Sequence, residues 1–249
     1  MSPVSISNKL KADYDDYFYT KEGELEWREL SSIDKVKNIL DLCEAIRYKS
    51  TLEVGCGEGA ILKRLCDLNF SDNLYGLEIS PTAIDLVKEK DIDSLVECKL
   101  FDGYDIPYDD SMFDLVILTH VIEHLEYPRK LLHEAGRVAD YVSVEVPLED
   151  HYRLKKNYVY DKVGHINVYS PKTIRWLMQT SGLDVLKQIV TIPGYAVFRH
   201  SLGRKALLVY PPLKVAVQFF PAVATQFFTY HCALLCKKVI SCDCETEHS

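Results

Sequence analysis

From Ile33 to Ile46 apolar residues recur at helical spacing (Val36, Ile39, Leu40, Cys43, Ile46), and this predicts a helix. Strands are expected at about 51–55, 74–79, 95–100, 113–119 and 140–146. Helical patterns lie between them, starting near Gly59, Pro81 and Tyr127. Ser80-Pro81 and Ser170-Pro171 each set a serine N-cap before a proline at the first helical position, the second opening a helix through Trp176 and Met178. A further strand starts at Gly182-Leu183-Asp184-Val185, and Thr225 to Lys237 reads as the last one. Strands alternating with helices predict an α/β fold with a mostly parallel sheet covered on both faces.

Residues 1–30 carry Tyr14, Tyr17, Phe18, Tyr19 and Trp27 among polar residues and read as a helical or irregular cap. Ala206 to Phe228 is strongly apolar, with Lys214 its only charge. Pro211, Pro212 and Pro221 are expected to interrupt it well short of the ~20 residues a membrane span requires. A pair of short helices packing on the core or a second subunit is expected there; the sharper alternatives are a substrate lid or a membrane-surface contact through 206–228.

A length of 249 residues suits one domain, divided into a cap (1–34), a cofactor-binding core (35–193), an apolar insertion (194–224) and a last strand with tail (225–249). A net charge of −8 without a basic stripe argues against extended binding to DNA or RNA. The start, Met1-Ser2-Pro3-Val4-Ser5, lacks a basic region followed by an apolar core, so a cytoplasmic protein is expected. The 8 cysteines then read as reduced thiols, and the irregular spacing of Cys232, Cys236, Cys242 and Cys244 argues against a metal cluster.

The densest chemical signal is Thr51-Leu52-Glu53-Val54-Gly55-Cys56-Gly57-Glu58-Gly59-Ala60, an apolar strand running into three glycines and a helix start. Such a junction holds nucleotide-like cofactors, because the backbone must turn sharply and approach the ligand. Gly55, Gly57 and Ala60 also satisfy the dinucleotide pattern, with Glu78 about 20 residues on, where a ribose-binding acid sits. A pyrophosphate is anionic, however, and Glu53, Glu58, Glu78 and Asp102 would repel it. S-adenosylmethionine carries a cationic amino group and a sulfonium, which acids stabilise.

This run resembles the first motif of class I S-adenosylmethionine-dependent methyltransferases. Later segments match in order: Leu74-Tyr75-Gly76-Leu77-Glu78-Ile79-Ser80, Leu100-Phe101-Asp102-Gly103, Phe113-Asp114-Leu115-Val116-Ile117-Leu118-Thr119 and His120-Val121-Ile122-Glu123-His124-Leu125. The resemblance spans roughly residues 35–240 and implies a Rossmann-like, doubly wound sheet of seven strands with an antiparallel edge strand. It implies that Gly55, Cys56, Gly57 and Gly59 bring backbone to the cofactor and that Glu53 serves its amino end. Glu78 would take the ribose hydroxyls, Ile79 the adenine face and Asp102 with Gly103 the adenine amino group, with Thr119 and His120 completing the pocket.

His120, Glu123 and His124 follow the fourth strand, and a helix beginning there would put all three on one face. An imidazole suits removal of a proton from an acceptor hydroxyl, with a carboxylate to orient it. His165, after a glycine in a returning loop, is the other candidate base. His120-x-x-Glu123-His124 is similar to the metal-holding E-x-x-E-H element of ubiquinone-pathway O-methyltransferases and small-RNA 2′-O-methyltransferases. His120 replaces the first glutamate, so a metal is not expected; the alternative is a softer divalent ion on His120, Glu123, His124 and His165. The expectation is O-methylation of a small molecule such as a sugar hydroxyl, with an oligomer an open state. The competing readings are an NAD-linked oxidoreductase and a non-catalytic membrane-surface protein on the same scaffold.

Overall fold

Seven strands form one sheet in the order β3-β2-β1-β4-β5-β7-β6. They are β1 (Tyr48–Val54), β2 (Ser71–Glu78), β3 (Leu95–Leu100), β4 (Phe113–Thr119), β5 (Ala139–Leu148), β6 (Leu183–Thr191) and β7 (Tyr230–Lys238). This computed structural model describes residues 11–13, 15–16, 25–43, 47–152, 154 and 164–239. β1 to β5 pair in parallel, and β7 runs antiparallel to both β5 and β6. The reversed strand thus stands one place in from the edge, and the antiparallel edge pair is β6 with β7.

Both faces of the centre are covered, which explains the continuous apolar runs. On β4, Val116 and Leu118 face one core cluster and Leu115 and Ile117 the other, all four without solvent exposure. At about 1.5–3 kcal/mol for each such side chain, this strand alone commits the sheet to a two-sided core. The same alternation assigns the polar residues. Val54 and Leu52 of β1, Val144 and Val146 of β5, and Cys232 and Leu234 of β7 all join the first cluster. Their neighbours Glu53, Glu145 and His231 therefore lie on the opposite face, with Thr119, beneath the helix Leu25–Cys43.

That helix crosses the expected 34/35 boundary between cap and core; its buried Val36, Ile39, Leu42 and Cys43 dock on the sheet. Ile46, Tyr14 and residues 17–19 lie outside the described residues. Asp15 accepts hydrogen bonds from Ser80 Oγ (2.8 Å) and Thr82 N (3.0 Å), which ties this N-terminal stretch to the start of the helix Pro81–Glu89.

The apolar insertion differs from its sequence reading in one respect. Pro211 and Pro212 do not break it: the helix Ala206–Phe219 runs through both for 14 residues. Proline removes a ladder donor, and here the helix forgoes those bonds in its second turn rather than ending. Pro221 starts the short helix Pro221–Ala224, whose carbonyls accept from the amides of Gln226, Phe227 and Phe228. Those turns delay β7 to Tyr230, five residues after the expected start at Thr225. Among the described residues no helix is long and apolar enough to cross a membrane. The insertion is anchored by buried Ala206, Val217 and Ala224 and by a bond from Tyr230 Oη to Leu213 O (3.1 Å). It leaves Leu207, Leu208, Val215, Phe219, Phe220 and Val223 exposed.

Candidate cofactor and catalytic site

The glycine turn sits at the carboxyl edge of the sheet, between the ends of β1, β2 and β4. Gly55, Gly57 and Gly59 all take positive φ (74°, 53° and 79°), a region closed to most side chains. Gly55 has a second reason to be glycine: a Cβ there would lie 2.6 Å from Val121 Cγ2. The amides of Gly55 and Cys56 donate to Leu77 O (2.7 and 3.1 Å), bending the chain across the end of β2. Gly59 then caps the helix Ala60–Asp67.

The acids expected to line this crevice are not equivalent. Glu58 pairs with Arg28 Nε at 3.0 Å. Glu78 turns inward, accepting from Gly57 N (2.9 Å), Ile79 N (2.7 Å) and Ser80 N (3.1 Å), so it braces the glycine turn against the end of β2. Asp102 accepts from Tyr104 N and Asp105 N, both at 2.8 Å, closing the loop after β3 around buried Gly103. Ile79 is half-buried against the core beside Glu78. Glu53 alone of the four keeps an unsatisfied oxygen: it is 2% exposed and its Oε2 has no hydrogen-bond partner. Burial pushes its carboxyl well above the usual range, with Lys35 pulling the other way.

After β4 the chain leaves through His120 in the left-handed region (φ 57°) and a single 3-10 turn, Ile122–His124; the next α-helix starts only at Pro128. His120, Glu123 and His124 therefore do not share the one helical face that their spacing predicts. They part into two groups. His120 sends Nδ1 to Glu123 Oε1 and Nε2 to Glu145 Oε1, both at 3.3 Å, and Glu145 Oε1 also meets His231 Nδ1 at 3.2 Å. His124 instead packs edge-on against His165, ring centres 4.8 Å apart, with Nδ1 at 3.3 Å from Gly164 O. His165 Nδ1 lies 2.9 Å from Glu149 Oε2. Asn167 locks the returning loop by donating to Leu125 O (2.7 Å), while Ile166 N and Asn167 N donate to Glu123 O.

These environments set the charges. Burial works to raise both Glu123 and Glu145, but the facing imidazoles prevail: Glu123 is lowered and Glu145 held well below the usual range. His120 is raised, because its two carboxylates outweigh burial and Lys35. Burial lowers His124 and His231, against the pull of Glu123 and Glu145 respectively.

Sequence reading missed Glu145, Glu149 and His231. The two glutamates had a signal, since each interrupts or closes the apolar run of β5. His231 had none, because its place depends on β7 pairing beside β5.

A family model described as a methyltransferase domain matches residues 25–188. Ajmaline N-methyltransferase of Rauvolfia serpentina is 33% identical over 95 residues, covering 36% of this chain and 32% of that protein. The mitochondrial ubiquinone biosynthesis O-methyltransferase of Candida albicans is 32% identical over 92 residues, covering 34% of this chain and 27% of that one. The chain thus aligns with about a third of the length of these curated relatives. Among solved structures, phosphoethanolamine N-methyltransferase 2 of Haemonchus contortus, in complex with phosphomonomethylethanolamine and S-adenosylhomocysteine, superposes with a TM-score of 0.66 at 14% identity. That match covers 94% of this chain and 61% of the other, and at this identity it speaks for the fold.

Proposed function

The chain belongs to the methyltransferase-domain family, and from that premise we propose that it moves a methyl group from S-adenosylmethionine to a hydroxyl oxygen of a small-molecule acceptor. One observation carries the choice of cofactor: the buried carboxyl group of Glu53 beside the glycine turn, whose Oε2 has no hydrogen-bond partner. A buried carboxylate oxygen without a donor is costly, and an ammonium group at that position satisfies it. A pyrophosphate there would meet the same oxygen with like charge.

S-adenosylmethionine, when bound, supplies a methyl group on a cationic sulfur. The protein's part is to hold and align the acceptor, exclude water and take a proton from the acceptor oxygen. Gly55, Gly57 and Gly59 leave room for close backbone approach, and Glu78 keeps that turn in shape. Thr119, at the end of β4, and Asp102, after β3, border the same edge. His124, which burial favours in its neutral form, and His165, oriented by Glu149, are the two groups that would accept the proton. Oxygen is preferred over nitrogen as acceptor because a neutral amine needs no base, whereas a hydroxyl does. A sugar or related biosynthetic intermediate fits that requirement.

The insertion suggests where the acceptor is met. From Val185 to Cys242 there is no Asp or Glu, although the chain as a whole carries −8. Arg199, Arg204, Lys205 and Lys214 flank exposed Leu207, Leu208, Val215 and Phe219. Apolar side chains among cations, with no acids, are complementary to an anionic lipid surface. We infer that segment 195–228 contacts such a surface.

Calorimetric titration with S-adenosylhomocysteine and with NAD tests the cofactor. S-adenosylhomocysteine is expected to bind, and Glu53→Gln to weaken it by roughly 10- to 100-fold, the worth of a hydrogen bond to a charged group. Binding of NAD in its place would overturn the reading.

A further inference from the structure

Glu145, His120 and His231 come from β5, from the exit of β4 and from the start of β7, and they converge under the helix Leu25–Cys43. None of the motifs in the sequence joins them. One donor atom of each residue lies within 4.8 Å of the other two. The two carboxylate–imidazole separations are 3.3 and 3.2 Å. A charge-assisted N–H···O bond closes to about 2.7–2.9 Å. Two donors bound to one tetrahedral zinc at about 2.0–2.1 Å stand roughly 3.3 Å apart. The observed spacing is that of an edge of such a tetrahedron.

The surroundings fit the same reading. Asn38 Nδ2 donates to Glu145 Oε2 (2.9 Å) and to Thr191 Oγ1 (3.1 Å), which fixes the carboxylate with Oε1 turned to the two rings. Behind His120, Nδ1 lies 3.3 Å from the buried carboxylate of Glu123, a charge contact on the side away from Glu145. His120 N donates to Glu145 O (2.9 Å), pinning its left-handed backbone. The His120 and His231 side chains are 20% and 17% exposed, so one side of the group stays open. The charge of Lys35 opposes protonation of both rings, but Glu123 and Glu145 lie against His120, so carboxylates outnumber ammonium around the group.

We propose that His120, Glu145 and His231 bind a borderline divalent ion, zinc first, through Nε2, Oε1 and Nδ1, with a fourth position open to an oxygen ligand. The ion site does not depend on methyl transfer and is read without cofactor.

The test uses the full chain, stripped with a chelator and dialysed. It is titrated with Zn²⁺ by calorimetry and with Co²⁺ by visible absorption, which reports low-symmetry coordination. One equivalent is expected. Glu145→Gln and His231→Ala should each weaken binding at least 10-fold, with far-UV circular dichroism and the thermal midpoint checking that both variants fold. His165→Ala should leave binding unchanged, which separates this group from Glu123, His124 and His165, whose donor atoms also lie within 4.8 Å of one another. No uptake by the unmodified chain overturns the proposal. So does binding that survives His231→Ala and Glu145→Gln, or that is lost only in His165→Ala.

Discussion

His124 and His165 stack edge to face yet are held differently, and the difference decides what each contributes. Burial keeps His124 below the ordinary histidine value, so it is neutral and able to accept a proton at neutral pH. If His124 is the base, kcat/KM is flat above neutrality and falls only where the ring protonates. The acid limb of a pH–rate profile is then expected below pH 6.5; a limb well above that value removes His124 from the role. His165 owes its orientation to Glu149 rather than to burial. Glu149→Gln keeps the shape but changes the tautomer it favours, and is expected to lower kcat by about 10- to 100-fold with little change in KM. Steady-state kinetics with the methyl acceptor read that split. At this scale the sequence made His120, Glu123, His124 and His165 visible because they are polar residues against apolar backgrounds. Their division into two groups was not visible, since it turns on one left-handed residue, His120, that no spacing rule anticipates.

At the scale of elements, strands were the most legible part. A parallel strand buried on both faces reads as an unbroken apolar run, and β4 begins and ends where that run does. Serine–proline caps were as clear: Ser80 accepts from Ala83 N and Ser170 from Thr173 N. The insertion was harder. Proline is a rule about one lost hydrogen bond, and a helix lying on the surface can accept that loss when its other face is anchored, here by Ala206 and Val217. The exposed face of that helix has no acid to repel an anionic bilayer. The protein is therefore expected to float with phosphatidylglycerol-containing vesicles at low salt, less at high salt, and not with pure phosphatidylcholine. Leu208→Ser with Phe219→Ser should abolish flotation with a stability change near zero, because both side chains project into solvent at 80% and 63% exposure. Wild-type protein that stays at the bottom of the gradient and sediments as a dimer would assign the same face to a second subunit.

For the whole molecule the decisive feature is a buried carboxyl group whose penalty and use are the same. Glu53 lies near the carboxyl end of β1 with one oxygen unsatisfied. Burial penalises the ionised form of Glu53, so above its unfolded pKa Glu53→Gln is expected to raise the thermal midpoint of the ligand-free protein, by roughly 2–4 °C per kcal/mol for a chain of this size. Saturating S-adenosylhomocysteine, at 100 times its Kd, adds about 2.7 kcal/mol to the wild type and much less to the variant, so the order of midpoints should invert. The pH dependence follows with a definite sign. The Glu53 carboxyl is raised in the folded chain, so above the unfolded value of about 4.3 the native state holds a proton that the unfolded state has released. Its contribution to stability is present below that value and is lost as pH rises through the raised one, a slope that Glu53→Gln removes. An arriving ammonium group reverses the preference by ionising Glu53, so binding expels a proton and tightens with pH across that window. Calorimetry in two buffers of different ionisation enthalpy measures that proton. Equal heats in both would show that Glu53 is already ionised before the ligand arrives, and would leave the charge match at β1 without its thermodynamic signature.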